Sequence, residues 1–546
     1  MAARTPLPTS QAWHESIVFT AIVVASLLFL GTFQSYQAAR DLMQYDENLY
    51  LSFALHGTIN GHLVGEWAPA YALMLRALNA LTHDSLTTYY LGGYLCSLAV
   101  APLWYLLARS LRVPIAWAAL SAAAWMIAAG SLQWVRVSLV CTLVLWVFLA
   151  AAARQRDPAR GWAIVLFGLV ASSFIRPELF WAFLVASGIA AVHLRARAAS
   201  WNVIGATTVP AAIVMALICW RLGVPIHGSR TALAFNQHIA FWLANRGHAL
   251  RPGEGMTLLA NAGLLENGIL SFVRHHPRVM LEHMLDNLRM IVVESPWTAA
   301  LPPEPIFAAT RGLATLPFAA TLLGSLGWRL RNRRWSPLDL PLPILVGLGL
   351  PAAITIASCL VIYPWPRYFG IVIAAVLIAL LPRDDAPSSP RSSWVAAALI
   401  VLFAIALPSY GRVMPVAAKD MDALILGLRD WQQHRPLRVF DTFHWISMHL
   451  QPEGQRTVPM PGMDLDQQFR THAFDVIVVT ELGDQTESLR NDVAWKQLRS
   501  DPASFGYRCE LVPHTAVGAC VLADQAPALA EAFRKVQPAP MPPASQ

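Results

Sequence analysis

Eleven apolar runs, most of them close to the ~20 residues a helix needs to cross a bilayer, limit what this chain can fold into more than any other feature. They fall near 16–34, 88–108, 113–130, 134–153, 161–175, 178–194, 201–222, 306–328, 341–362, 367–382 and 393–409. Of the 546 residues 56% are hydrophobic and only 13% are charged, whereas a soluble domain carries roughly a quarter charged residues. The expected fold class is therefore a polytopic α-helical membrane protein. The first run has no small-residue cleavage site behind it, so it is read as a retained span rather than a removed signal peptide.

Sidedness follows from the arginines. With the N-terminus in the cytoplasm, the inward loops are 109–112, 154–160, 195–197, 329–334 and 383–391, all short and all arginine-bearing. That is the pattern of the positive-inside rule. An odd number of spans then puts the C-terminus outside. The runs 161–175 and 178–194 flank Arg176-Pro177-Glu178. One kinked helix would reverse every later loop, and two short helices meeting at the outer surface keep the charge rule intact. The net charge of +7 is carried by arginines in these loops; with no basic stripe interleaved with aromatics, no nucleic-acid partner is expected. The location expected is the bacterial cytoplasmic (inner) membrane.

The domain division expected is a membrane domain over 1–409 with outer loops 35–87 and 223–305, an extracytoplasmic α/β domain over 410–536, and a Pro-rich disordered tail over 537–546. Within loop 223–305, helical periodicity at 258–270 and 277–293 predicts amphipathic helices at the membrane interface. In the C-terminal domain, residues 437–441 and 474–480 have the character of buried strands, and 419–433 and 487–500 that of helices. Residues 507–511 and 518–522 could pair as a hairpin. Its Cys509 and Cys520 are either a disulfide, permitted outside the cell, or two buried thiols; Cys96, Cys141, Cys219 and Cys359 lie in apolar spans as small core residues.

The chemistry is concentrated in loop 35–87. Gln44-Tyr45-Asp46-Glu47-Asn48-Leu49-Tyr50 places two carboxylates just beyond the first span, with His56, His62, Glu66 and Trp67-Ala68-Pro69-Ala70-Tyr71 following. Carboxylates beside a bilayer are costly to desolvate and mark a water-filled working site more often than an inert loop.

This order of a first span, an outer Asp-Glu loop and an aromatic-Pro-Tyr segment resembles the GT-C glycosyltransferases that use polyprenyl-phosphate sugars. The subgroup resembled contains the protein O-mannosyltransferases and lipid A aminoarabinose transferases. Pro366-Arg367-Tyr368 at the head of a late span is similar to the Arg-Tyr found there, and the long second outer loop and the outer C-terminal domain fit as well.

The resemblance implies an inverting transfer of sugar from a polyprenyl-phosphate carrier to an acceptor hydroxyl of a glycolipid, polysaccharide or protein on the outer face. Asp46 would be the general base, with Glu47 orienting it or contributing to a metal site. Arg136, Arg176 and Arg367, at outer span ends, would bind the lipid phosphate through forked hydrogen bonds. Tyr363 and Tyr368 would add donors, and Tyr45, His62 and Glu66 substrate contacts. Related enzymes often carry a second carboxylate before the fourth span, where this chain has Gln133-Trp134-Val135-Arg136-Val137-Ser138. A divalent metal is thus possible but not required by the sequence. A transporter or lipid flippase, and a non-catalytic glycan-assembly component, are the alternatives; no internal repeat of the transporter kind relates the halves. No P-loop, GxGxxG, HExxH or paired CxxC is present.

Overall fold

A computed structural model describes residues 9–39, 42, 46–57, 68–132, 136–226, 230–244, 269–301, 311–332, 340–383, 390–407, 420–433, 435–441, 446–458, 463–484 and 487–536. The membrane part begins with α1 (Thr9–Leu30), followed by three short helices, α2 (Phe33–Ala38), α3 (Asp46–His56) and α4 (Pro69–Thr82). Six long helices come next: α5 (Ser85–Ser110), α6 (Ile115–Ile127), α7 (Val137–Ala153), α8 (Pro158–Ser173), α9 (Leu179–Ala196) and α10 (Trp201–Leu222). The segment after α10 holds α11 (Arg230–Ala244), α12 (Ile269–His275), α13 (Pro277–Val293) and α14 (Ser295–Ala300). The last four long helices are α15 (Arg311–Asn332), α16 (Leu342–Val361), α17 (Gly370–Leu380) and α18 (Pro390–Ala406).

Every one of the eleven apolar runs thus becomes a helix. Five are long and apolar enough to cross a membrane (Trp13–Leu30, Ser85–Ser110, Leu179–Ala196, Trp201–Leu222 and Leu342–Val361), and five more are apolar but shorter. The eleventh, α15, is neither. The protein is a multi-pass helical membrane protein. Residues 161–175 and 178–194 form two helices, α8 and α9, joined through a turn at 174–178, as the charge rule requires. The predicted helix at 277–293 has the bounds of α13, while 258–268 and the tail 537–546 lie outside the described residues.

Two helices are polar on the inside and apolar on the outside. In α13, His283 and Asn287 are buried, whereas Leu281, Leu285, Leu288 and Val292 are exposed. In α15, Thr321, Ser325 and Arg329 are buried, whereas Leu316, Leu323 and Leu330 point outward. Water would penalise so much exposed apolar surface, but hydrocarbon does not. The buried polar groups instead satisfy backbone that lipid cannot hydrogen-bond. Arg329 Nε donates to the Leu380 carbonyl at 2.7 Å, at the end of α17. His283 Nε2 donates to the Ile362 carbonyl (2.9 Å) and Asn287 Nδ2 to that of Leu360 (2.9 Å) at the end of α16. These are the carbonyls a helix C-terminus leaves open.

Trp104, Trp125 and Trp146 lock α5, α6 and α7 together, with ring centroids 5.0–5.5 Å apart. Ser121 accepts the Trp104 indole hydrogen at 2.8 Å, which meets that buried donor. One end of the bundle gathers the arginine turns: Arg109 pairs with Glu15, and Arg154 Nε donates to Ser110 Oγ at 3.1 Å. At the opposite end of α7, some 25 Å away for its 17 residues at 1.5 Å each, lie the residues discussed below.

The C-terminal domain has helices α19 (Asp420–Gln432), α20 (Leu465–Arg470), α21 (Glu481–Asp484), α22 (Glu487–Arg490), α23 (Val493–Ser500) and α24 (Ala526–Lys535). Its strands are β1 (Arg438–Phe440), β2 (Gln455–Thr457), β3 (Val476–Val479), β4 (Tyr507–Leu511) and β5 (Gly518–Leu522), in the order β2-β1-β3-β5-β4. β2 and β3 run parallel to β1, and β5 is antiparallel to both β3 and β4. The expected hairpin is present, and Cys509 and Cys520, directly opposite in its register, are joined by a disulfide.

This domain is fastened to α5. Asp84 caps that helix by accepting the Thr87 amide hydrogen at 2.9 Å, and its other oxygen meets Arg429 Nη2 (2.6 Å) and Gln451 Nε2 (3.0 Å). The Tyr90 hydroxyl donates to both carboxylate oxygens of Asp422, at 2.7 and 2.8 Å. Ser85 Oγ lies 2.9 Å from Nδ1 of the wholly buried His449. His56 pairs with Glu453 at 2.8 Å.

Candidate functional site at the non-arginine end of the bundle

The site forms around the first turn of α7, which its own sequence leaves without a side-chain cap. The cap arrives from elsewhere: Glu47, in the first turn of α3, accepts the Arg136 amide hydrogen on Oε2 at 3.0 Å. A carboxylate there satisfies an orphan donor and opposes the positive end of the helix dipole. The other oxygen accepts the Tyr71 hydroxyl and lies 3.6 Å from Arg136 Nη1. Arg136 Nη1 also donates to the Tyr89 carbonyl at 2.9 Å, and its guanidinium lies 4.8 Å from the centre of the Tyr89 ring. Both members of the pair are about 1% exposed.

Gly93 makes this arrangement possible. A Cβ at that position would stand 2.3–2.4 Å from the Arg136 guanidinium, closer than any side chain tolerates. Tyr71 in turn is held edge-on by Tyr50, 5.5 Å away. Asp46 opens α3 immediately before Glu47.

A second group lies on the other side of the same turn. Arg176, from the α8–α9 junction, donates through Nη1 to Ser138 Oγ at 2.7 Å and pairs with Glu178. Its guanidinium lies 4.4 Å from the Tyr368 ring centre. Arg367 is 5.3 Å from the same ring and 5.4 Å from that of Trp365. The strand of residues carrying them is pinned from below: besides the α13 bonds to Leu360 and Ile362, Ser295 Oγ donates to the Pro364 carbonyl at 2.6 Å. Pro364 and Pro366 restrict the backbone further. A backbone bond from Ala70 to the Phe174 carbonyl (3.1 Å) holds the start of α4 beside this junction.

The structure thus brings Glu47 and Arg136 together, and Arg176, Arg367 and Tyr368 together, at one end of the bundle. Tyr363 stands beside Trp365, with ring centres 5.1 Å apart. Tyr45, His62 and Glu66 lie outside the described residues. Two further residues join the second group without having been singled out from the sequence. Trp365 is 40% exposed beside Arg367. His238 of α11 stacks on Tyr363 at 5.2 Å and 11°. The run Tyr363-Pro364-Trp365-Pro366-Arg367-Tyr368 was the available signal for Trp365; nothing in the sequence links it to His238.

Glu47 does not fit a divalent cation. Its oxygens already accept from Tyr71 and from the Arg136 amide, and the neighbouring guanidinium would repel a second positive charge. Among the described residues no group of three His, Cys, Asp or Glu side chains converges as a metal site would.

Fold and site together define a multi-pass helical membrane protein with a docked α/β domain and a polar, arginine-rich cluster at one end of its bundle. No protein-family model and no curated protein matches the chain. Among solved structures it is similar to the archaeal oligosaccharyltransferase AglB from Archaeoglobus fulgidus, in complex with an inhibitory peptide and a dolichol-phosphate. The identity is 15%, over 88% of this chain and 72% of that one, with a TM-score of 0.39.

Proposed function

We propose that this protein is an inverting membrane glycosyltransferase that moves a sugar from a polyprenyl-phosphate carrier to an acceptor hydroxyl at the extracytoplasmic face. The observation that supports it most is the grouping of Glu47, Arg176, Arg367 and Tyr368 around one helix end, opposite the arginine turns, with Asp46 next to Glu47 in the chain. A base and a phosphate-binding site are the two things this reaction needs at one place.

In this reading Asp46 takes the proton of the acceptor hydroxyl. The acceptor oxygen attacks the anomeric carbon from the face opposite the leaving group, the bond from that carbon to the phosphate oxygen breaks, and lipid phosphate departs. Arg367 and Arg176 neutralise the charge that grows on the departing phosphate. Glu47 and Arg136 act as positioning residues, tying the first turn of α3 to that of α7. No step passes through a metal.

The test is release of free polyprenyl phosphate from a polyprenyl-phosphate sugar by the purified protein, and its loss in Asp46→Asn. Full activity in that variant removes Asp46 as base. The proposed orientation, with the C-terminal domain outside a bacterial inner membrane, is supported by the Cys509–Cys520 disulfide, since such bonds persist in oxidising compartments. A membrane-impermeant thiol reagent should label this pair in intact spheroplasts only after reduction; labelling only after lysis would place the domain inside.

A further inference from the structure

The carrier reading gives no role to His238 and Trp365, which with Tyr363 form an aromatic wall beside Arg176, Arg367 and Tyr368. That wall is built. His238 stacks nearly parallel on Tyr363 (5.2 Å, 11°) and meets Trp365 at 6.3 Å and 64°. Tyr363 and Trp365 stand 5.1 Å apart and tilted by 57°. Burial, with help from the nearby Arg367 and His283, pushes the His238 imidazole down to about 4. It is therefore neutral at physiological pH, so it does not compete for an anion or repel Arg367.

Trp365 is the member that faces out, at 40% exposure. The next residue but one, Arg367, has its guanidinium 5.4 Å from that ring. One short turn thus presents an aromatic face and a cation side by side. A pyranose ring turns the C–H bonds of one face outward, and those weakly positive hydrogens suit the negative face of an indole. An anion attached to the same ring would fall to the arginine. The turn also sits between the ends of α16 and α17.

We propose that Trp365, backed by Tyr363 and His238, is the sugar-stacking face of a binding site for a lipid-linked glycosyl phosphate, with Arg367 receiving the phosphate. This rests on the carrier reading and adds to it which residues recognise the sugar rather than the lipid phosphate.

The experiment uses the full-length protein in phosphatidylcholine nanodiscs. The probes are citronellyl phosphate, the same lipid phosphate bearing glucose, mannose or arabinose, and UDP-glucose. Trp365→Ala should weaken the tightest glycosylated probe about tenfold, the size expected for one lost aromatic contact. Citronellyl phosphate should stay within about twofold. Trp365→Phe should recover most of the loss, which a folding defect would not allow. Arg367→Gln should weaken glycosylated and bare lipid phosphate by the same factor. Equal losses for both probes in Trp365→Ala, no loss for either, or the same Trp365-dependent loss with UDP-glucose would overturn the stacking assignment. A wild-type protein that binds none of the lipid phosphates would instead sink the carrier reading itself.

Discussion

The two arginine clusters flanking the first turn of α7 are built from the same residue types and do opposite things. Around Arg136 the charge is sealed: a carboxylate, a tyrosine hydroxyl, a backbone carbonyl and an aromatic face close over it, and a glycine gives it room. Around Arg367 stand two aromatic rings, those of Tyr368 and Trp365, and Trp365 reaches solvent. Desolvating a charge costs several kcal/mol unless it is paired, so the first cluster can exist only as a finished structure. The second leaves an exposed aromatic face where a ligand can arrive. A sequence shows two arginines at helix starts; only the surroundings separate an internal brace from a binding group.

The sharpest way to break this contrast is to halve the sealed pair. Glu47→Ala or Arg136→Ala strands a buried charge and should cost about 3–5 kcal/mol, read as a large drop in thermal stability in detergent. Replacing both, as Glu47→Leu with Arg136→Met, should restore most of that stability. Persistent instability of the double variant would show that the pair is more than a brace. Gly93→Ala, which drives a methyl into the Arg136 guanidinium, should cost less, about 1–3 kcal/mol.

The docking of the C-terminal domain should weaken with acid. His449 faces Arg429 and Ser85, with Asp84 beyond, and burial, aided by Arg429, lowers its protonation from 6.5 to about 3. The unfolded imidazole binds a proton that the folded one refuses, so stability is complete above about pH 6.5 and falls as pH drops toward 3. Between pH 6.5 and 5 the loss should approach about 2 kcal/mol in the limit of one proton. Burial opposes the charge of Asp84, but Thr87 and Arg429 prevail and hold its carboxyl below the usual range. Its contribution is therefore lost only in stronger acid. Thermal melts against pH, flattened over this window in His449→Gln, measure the effect.

The smallest change in stability belongs to the open cluster. Arg367→Gln should cost less stability than Arg136→Ala while transfer from the lipid carrier falls sharply. A stability loss comparable to that of Arg136→Ala would erase the distinction between the clusters.

Much of this architecture was legible. Apolar length marked all eleven helices, the arginine turns argued for two helices at 161–194, and 507–511 and 518–522 read as able to pair as the hairpin they form. β2 escaped because three residues, Gln455–Thr457, at a sheet edge carry no apolar pattern. The inverted faces of α13 and α15 could not be assigned either, since a periodic stripe says where leucines line up and not whether protein or lipid covers them. For Arg136 the sequence suggested phosphate binding; the partner it found, Glu47, lies 89 residues earlier.

Composition and apolar spacing alone determined that the chain is a helical bundle spanning a membrane and where its helices fall, because bilayer thickness acts locally along the chain. Tertiary structure decided which carboxylate caps which helix, which arginine is sealed and which lies against an open aromatic wall, and that the C-terminal domain clasps the first turn of α5. Those outcomes depend on desolvation, and a residue's desolvation is set by neighbours the sequence places far away.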